Sequence, residues 1–442
     1  MSSPQAAEPV SLKEALRFWL KLGFISFGGP AGQIALMHQE LVERRRWISE
    51  RRFLHALNYC MLLPGPEAQQ LATYLGWLMH RTPGAILAGG LFILPSLLLM
   101  IVLAWLYLRF GDLSVVAGVL YGVKPAVTAV VLHAAQRIGS RTLSNAWLWS
   151  IAVAAFLAIF VFRLPFPLIV LGAALLGLLG GRLNPLAFRP RPLAAGVASH
   201  APALIDDHSP TPEHARFRPG PLLRLLLVSA LLWLLPIAAL SLAFGWSGTL
   251  TQIGWFFSKA ALLSFGGAYA VLPYVHQGAV EHYGWLGATQ IIDGLALGES
   301  TPGPLIMLVA FVGYIGAEGA RLLGSDQLFL AGALGALVAT WFTFLPSFVL
   351  ILAGGPLVES SRDQLGFTAP LAGISAAVVG VILNLALFFA YHVFWPQGFS
   401  GSFEWPAALI AVGAAVALLY FRRGVIEVLA VSAAVGLLLQ LF

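Results

Sequence analysis

Hydropathy along the chain comes in blocks, most of them near the ~20 residues that cross a bilayer as a helix. Six blocks fill the first half: Leu12 to Met37, Phe53 to Met79, Ala85 to Phe110, Leu113 to Ala135, Ala146 to Phe162 and Phe166 to Gly181. A polar stretch follows, Arg182 to Pro221, rich in Pro, His and Arg and expected to lack regular structure. After it come Leu222 to Trp246, without a counterpart upstream, and six more blocks: Ile253 to Val275, Trp285 to Ala317, Leu328 to Gly354, Phe367 to Tyr391, Trp405 to Phe421 and Val425 to Phe442. The pattern predicts an all-α polytopic membrane protein. Its parts are a membrane repeat at 1–181, a cytoplasmic linker at 182–221, an extra transmembrane helix at 222–246 and a second repeat at 247–442.

The two halves repeat residues as well as blocks. Lys21, Ser26, Phe27, Gly28 and Gly29 recur as Lys259, Ser264, Phe265, Gly266 and Gly267, and Pro64-Gly65-Pro66 recurs as Pro302-Gly303-Pro304. His38, Gln39, Val42, Glu43 and Trp47 recur as His276, Gln277, Val280, Glu281 and Trp285, always 238 positions on (259 − 21, 285 − 47, 302 − 64). A later register of 251 pairs Pro95-Ser96 with Pro346-Ser347 and Gly122 with Gly373. A duplicated membrane unit whose shared residues are mainly helix breakers points to a transporter.

Arginines orient the halves. Five lie between Arg44 and Arg52, while the matching stretch Gln277 to Ala288 has no Lys or Arg. Positive charge marks the cytoplasmic side, so the halves are expected to be inverted, with Leu222 to Trp246 turning the second over. The first two blocks of each half carry a Gly-Gly or Pro-Gly-Pro break near the middle. If they dip in and return as half-helices, Arg137, Arg141, the linker, Arg362 and Arg422-Arg423 all fall inside. Kinked spanning helices are the alternative.

Composition narrows the function. The chain is 59% hydrophobic and 10% charged, against roughly 25% charged in soluble domains. The net charge of +6 therefore reads as membrane orientation rather than nucleic-acid binding. The single cysteine, Cys60, can form no internal disulfide, and Met1 to Glu8 lacks the pattern of a cleaved leader or lipid anchor.

The candidate chemistry is that of an anion site. Pro30, Pro66 and Pro304 suit the first position of helices that restart after the glycines, where their missing N–H costs nothing. Such half-helices direct free N–H groups and partial positive charge toward the break, and Ser26 and Ser264 add hydroxyls. Packing and kinking are the ordinary uses of these residues, but recurrence in one register favours a site. Phe27 and Phe265 either pack or shape it. Lys21, Lys259 and Lys124 lie in apolar blocks, where an ammonium costs on the order of 3 kcal/mol; they are candidates to attract a dianion. Snorkelling is the alternative for Lys21 and Lys259, and pairing with a buried carboxylate for Lys124. Glu67, Asp293 and Glu299 are acidic candidates beside the breaks, where Glu67 serves as a helix cap or exchanges a proton, and Thr301 adjoins Pro302. His38 and His276 read as interfacial, with proton relay as the alternative. No residues have metal-ligand spacing and no nucleophile has a base, so neither a cofactor nor an enzyme activity is expected.

Several motifs taken together resemble the chromate ion transporter family in its long, two-domain form. They are Phe24-Ile25-Ser26-Phe27-Gly28-Gly29-Pro30, Glu43, Trp47, the run from Leu63 to Trp77 and Phe92-Ile93-Leu94-Pro95-Ser96. In the second half they are Ser264-Phe265-Gly266-Gly267, Asp293 to Pro304 and Phe311-Val312-Gly313. Ala268 departs from the family's proline. The resemblance implies a secondary transporter of a bacterial inner membrane that exports chromate and confers resistance, with sulfate as an isosteric tetrahedral dianion. Proton coupling, anion exchange and a homodimer are all compatible with it, and a passive anion channel is the rival.

Overall fold

Fourteen residues after Ser11 form the first helix because the Ser11 side chain accepts the Glu14 N–H and an apolar face follows. In the computed structural model, which describes residues 10–27, 29–185, 203–207, 209, 212–265, 267–360 and 368–441, this is α1 (Leu12–Ile25). α2 (Gly29–His38) runs into a π-helical turn, Gln39–Arg44, and α3 (Glu50–Leu62) starts from a Ser49 cap. α4 (Glu67–Phe110) joins the second and third hydropathy blocks and bends where His80 and Arg81 leave helical angles. α5 (Ser114–Thr142), α6 (Ala146–Phe160) and α7 (Phe166–Leu183) complete the first half, and α8 (Pro219–Phe244) is the extra helix.

The second half repeats the order: α9 (Thr249–Leu263), α10 (Ala268–His276), a π turn at Gln277–His282, α11 (Ala288–Ser300), α12 (Leu308–Gly319), α13 (Leu328–Ser360), α14 (Thr368–Phe394), α15 (Trp405–Leu419) and α16 (Val425–Leu441). The repeat reaches single hydrogen bonds. Trp47 N–H donates to Leu41 C=O and Trp285 N–H to Ala279 C=O, both at 2.8 Å and 238 positions apart. A π turn costs helix geometry and is rare outside functional segments. Its recurrence marks a shared backbone design.

Six helices among the described residues are long and apolar enough to cross a membrane, and the protein is a multi-pass membrane protein. The halves are not separate packing units. α5 packs along α16, where a methyl group on Gly122 would strike the Ser432 carbonyl and Gly436; α7 packs along α14, where one on Gly177 would strike the Ala369 carbonyl. Small residues let these backbones approach, which is the main source of helix association in lipid. α8 stays peripheral, against α9 and α13, with Ile237 its one buried residue.

Two expectations are corrected. α5 continues past Ala135 to Thr142, so Arg137 and Arg141 belong to a helix. Hydropathy stopped at the first charges, but a charged residue ends an apolar run without breaking the helical hydrogen-bond ladder. The linker, expected to be irregular, is in part docked. Leu204 and Ile205 N–H donate to Arg46 and Trp47 C=O, Ser49 N–H returns to Ile205 C=O, and Ser49 Oγ donates to Asp207 Oδ1 at 2.6 Å. Arg52, nearly buried, holds Ser209 C=O and Glu359, and Tyr74 donates to the same carboxylate. Hydrogen bonds to backbone supply the order that composition did not foretell. This docking puts Ser49 and Ile205 on one side of the membrane, with an even number of crossings between them. If the part of α4 after the bend, α5, α6 and α7 each cross once, α3 and the part of α4 before the bend together cross either not at all or twice, so a single kinked crossing there is excluded. That count favours half-helices that dip and return.

Candidate functional site

Four helix breaks lie where the halves meet. α1 ends at Ile25 and α2 restarts at Gly29, whose φ of +69° suits a residue without Cβ, with Pro30 in the first turn. In the second half Gly267 holds φ +94° and α10 begins at Ala268, so the break persists without the proline. Gly28 and Gly266 lie outside the described residues. α3 gives way to Pro64, Gly65 and Pro66 before α4 begins at Glu67. α11 gives way to Thr301, Pro302, Gly303 and Pro304, then a 3₁₀ turn at Leu305–Met307 before α12.

These breaks are tied in pairs across the halves. Gly65 N–H donates to Ser264 C=O at 3.0 Å, and Gly303 N–H donates to Ser26 C=O at 2.8 Å. Since the donors are repeat partners and so are the acceptors, this is one contact made twice about a pseudo-two-fold axis. Of the amides at the breaks, those of Gly65 and Gly303 are therefore spent in this structure on the opposite break. The physical reason is that the unwound Ser26 and Ser264 carbonyls need donors in hydrocarbon, where an unpaired backbone group costs several kcal/mol. Side chains complete the lacing. Gln33 Nε2 donates to the Gly303 and Ser26 carbonyls, and Gln70 Nε2 to Pro64 C=O at 2.7 Å. A methyl group on Gly65 would strike Ser347 Oγ and the Gln70 side chain; one on Gly303 would strike Ser96. Ser96 and Ser347 are themselves repeat partners.

Around this crossing lie polar atoms without partners. Ser26 Oγ, Ser96 Oγ, Ser347 Oγ, Gln33 Oε1 and Gln70 Oε1 are all buried and unbonded. Buried polar groups are nearly always satisfied, so such a set marks a place that something polar occupies. Three hydroxyls can each donate to an oxyanion, while the Gln oxygens can take up water or a protonated oxygen. Ser264 differs, its hydroxyl donating to Ala261 C=O.

The charged candidates divide. Glu67 lies half-buried at the start of α4, facing the second Gly-Gly break, since a methyl group on Gly267 would stand 3.7 Å from Glu67 Oε1. Arg137 and Arg141 act on it electrostatically. Arg137 also acts on Tyr269, which donates to the buried Glu299. The sequence reading missed Arg137 because it stopped α5 early; its spacing of four from Arg141 was the available signal. Lys124 Nζ lies 3.2 Å from Asp293 Oδ2, which also accepts from Tyr107 OH at 2.9 Å. The alternative of pairing with a buried carboxylate is thus what Lys124 does here. Lys21 is exposed, and Lys259 stacks its ammonium 5.6 Å from the Trp255 ring centre. Phe27 is 39% exposed, Phe265 half-buried, and Thr301 buried with its hydroxyl on Gly298 C=O. His38 bonds Glu50 and Glu43, and His276 packs on Phe388 beside Glu281, which leaves both histidines engaged away from the breaks.

Comparison with known proteins agrees with this duplicated architecture. The pattern of the chromate transporter family matches residues 13–178 and again 251–437. A chromate transport protein of Cupriavidus metallidurans is 29% identical over 431 residues, 95% of this chain and 91% of that one. One from Pseudomonas aeruginosa is 34% identical over 377 residues, 85% and 80% of the two chains, and a probable one from Synechococcus elongatus is 30% identical over 373 residues, 84% and 83%. No solved structure matches the chain. With both halves matched in their own right and the breaks of each laced to the other, the chain belongs to the chromate transporter family.

Proposed function

We propose that this protein is a secondary transporter that carries chromate, or the isosteric sulfate, out across a bacterial inner membrane and so confers chromate resistance. The observation that carries the reading is the reciprocal crossing of the breaks, with the unpartnered hydroxyls of Ser26, Ser96 and Ser347 around it. Broken helices from two repeats form substrate sites near the bilayer midplane in transporters built this way, and rocking of one half against the other moves the site between faces. Tetrahedral dianions offer four acceptor oxygens to such donors, which is why both anions fit. The negative interior of a cell favours anion export by about 2.3 kcal/mol per charge per 100 mV. Chromate accumulation by cells with and without the protein tests the reading, repeated with excess sulfate and with a protonophore. Lower accumulation with the protein, reversed by sulfate and weakened by the protonophore, is the expected outcome. Non-saturable flux that depends only on the anion gradient identifies a channel instead.

A further inference from the structure

The ion pair between Lys124 and Asp293 has no counterpart in the opposite half. The repeat partner of Asp293 is His55 and that of Lys124 is Ser375, so a duplicated backbone carries a charge pair only once. It joins the halves directly, α5 to α11, and the Asp293 side chain is 2% exposed while that of Lys124 is 29% exposed. Asp293 Oδ2 takes both bonds, from Lys124 and from Tyr107, and Oδ1 is buried with no partner. A carboxylate with one saturated and one empty oxygen has a ready place for a proton. Asp293 also sits on the helix that ends in the second Pro-Gly-Pro break, eight residues before Thr301, or about 12 Å along the axis at 1.5 Å per residue.

The surrounding charges leave the pair to itself. Lys124 from α5 and Tyr107 from α4 are the groups that act on Asp293. Of the other helices packed against α11, α12 brings Tyr314 and Glu318, the latter facing Arg109; α14 brings His392, bonded to Phe388 C=O, and Tyr391; α16 brings Glu427, paired with Arg423. On α11 itself Glu299 is held by Tyr269.

We infer that Asp293 is the coupling-proton site of this transporter, acting as a tethered stand-in for the substrate: it neutralises Lys124 when ionised, and when it takes a proton on Oδ1 it frees the ammonium to receive a tetrahedral oxyanion. This rests on the oxyanion-transport reading above. The proton comes from water on the side from which the anion enters and leaves with it on the other side, so proton and anion move the same way. A dianion travelling with one proton still carries one net negative charge, and a negative-inside potential still drives it outward.

Full-length protein in liposomes tests this with radiolabelled chromate and sulfate. Uptake is measured with the outside acidic, with the inside acidic and without a gradient, and anion exchange is measured at equal pH. For the wild type, outside acid accelerates uptake, and a one-unit gradient supports up to about tenfold accumulation per coupled proton. In Asp293→Asn the ratio of acid-driven to gradient-free uptake falls to about one while exchange stays measurable. Because that variant leaves a buried ammonium unpaired, Asp293→Asn/Lys124→Gln is run beside it, both charges being removed together, with thermal unfolding in detergent as a check. The double variant also loses the gradient response. A response kept in either folded variant overturns the inference, as does a wild type stimulated by inside acid or indifferent to the gradient. A wild type that exchanges neither anion fails differently: it overturns the transport reading itself.

Discussion

The two halves share their backbone and differ in their charges. Both have a Gly-Gly break, a π turn, a Pro-Gly-Pro break and a glycine crossing at corresponding positions. Yet Glu67 corresponds to Leu305, Glu299 to Met61, Asp293 to His55, Lys124 to Ser375 and Arg137 to Phe388. Uncharged hydroxyls at the crossing are duplicated, as those of Ser96 and Ser347 are. Lys21 and Glu43 do recur, as Lys259 and Glu281, but the charges named above appear once; a buried charge needs a dedicated partner and is costly without one. On the transport reading proposed above, this is a division of labour: the repeated geometry builds the passage, and the unrepeated charges set what is coupled to movement through it.

The sharpest way to break this comparison is all-or-none. Arg51 and Thr289 are exposed repeat partners. Single cysteines there, in a Cys60→Ser background, are expected to react with an impermeant thiol reagent from opposite faces of intact cells. Labelling of both from one face would remove inversion, and with it the idea that one geometry serves both sides.

Next in size is the effect of filling the crossing. Gly65→Val and Gly303→Val each force a side chain into left-handed backbone, at about 1–2 kcal/mol, and into Ser347 or Ser96, with overpacking worth about 1–3 kcal/mol more. Each is expected to abolish chromate uptake at matched expression, and the double variant to add little. Gly172→Ala, where nothing lies within 4 Å of the added methyl group, should transport normally. Normal uptake by both valine variants would make the breaks mere hinges.

The smallest effect probes the shared hydroxyls. Ser96→Ala and Ser347→Ala each remove one donor, worth ~0.5–1.5 kcal/mol, or a rise in apparent substrate constant of roughly 2- to 12-fold. Equal rises would sharpen the symmetry. A rise from one alone would mean that the substrate leans on one half.

Much of this was legible in the chain because it depends on local backbone rules. Glycine at positive φ, proline without an N–H and a block of apolar residues have the same meaning wherever they occur, so Gly65, Gly303, Pro66 and the helix blocks could be read at once. The repeat register then linked residues 238 apart without any structure. Partners are another matter. That Gly65 donates to Ser264, that Lys124 meets Asp293 from another helix, that Arg141 and Arg137 act electrostatically on Glu67 and that Ile205 docks on Trp47 all join residues far apart in sequence. Hydropathy misplaced Arg137 and the linker for the same reason, since it scores each residue as if lipid and water were its only possible neighbours. The sequence by itself determined where the helices break, because a break is a property of one or two residues. Only the tertiary structure decided what those breaks face, because in a medium without water every unwound amide and buried charge must find its partner in protein, and that partner is chosen by how the two halves cross.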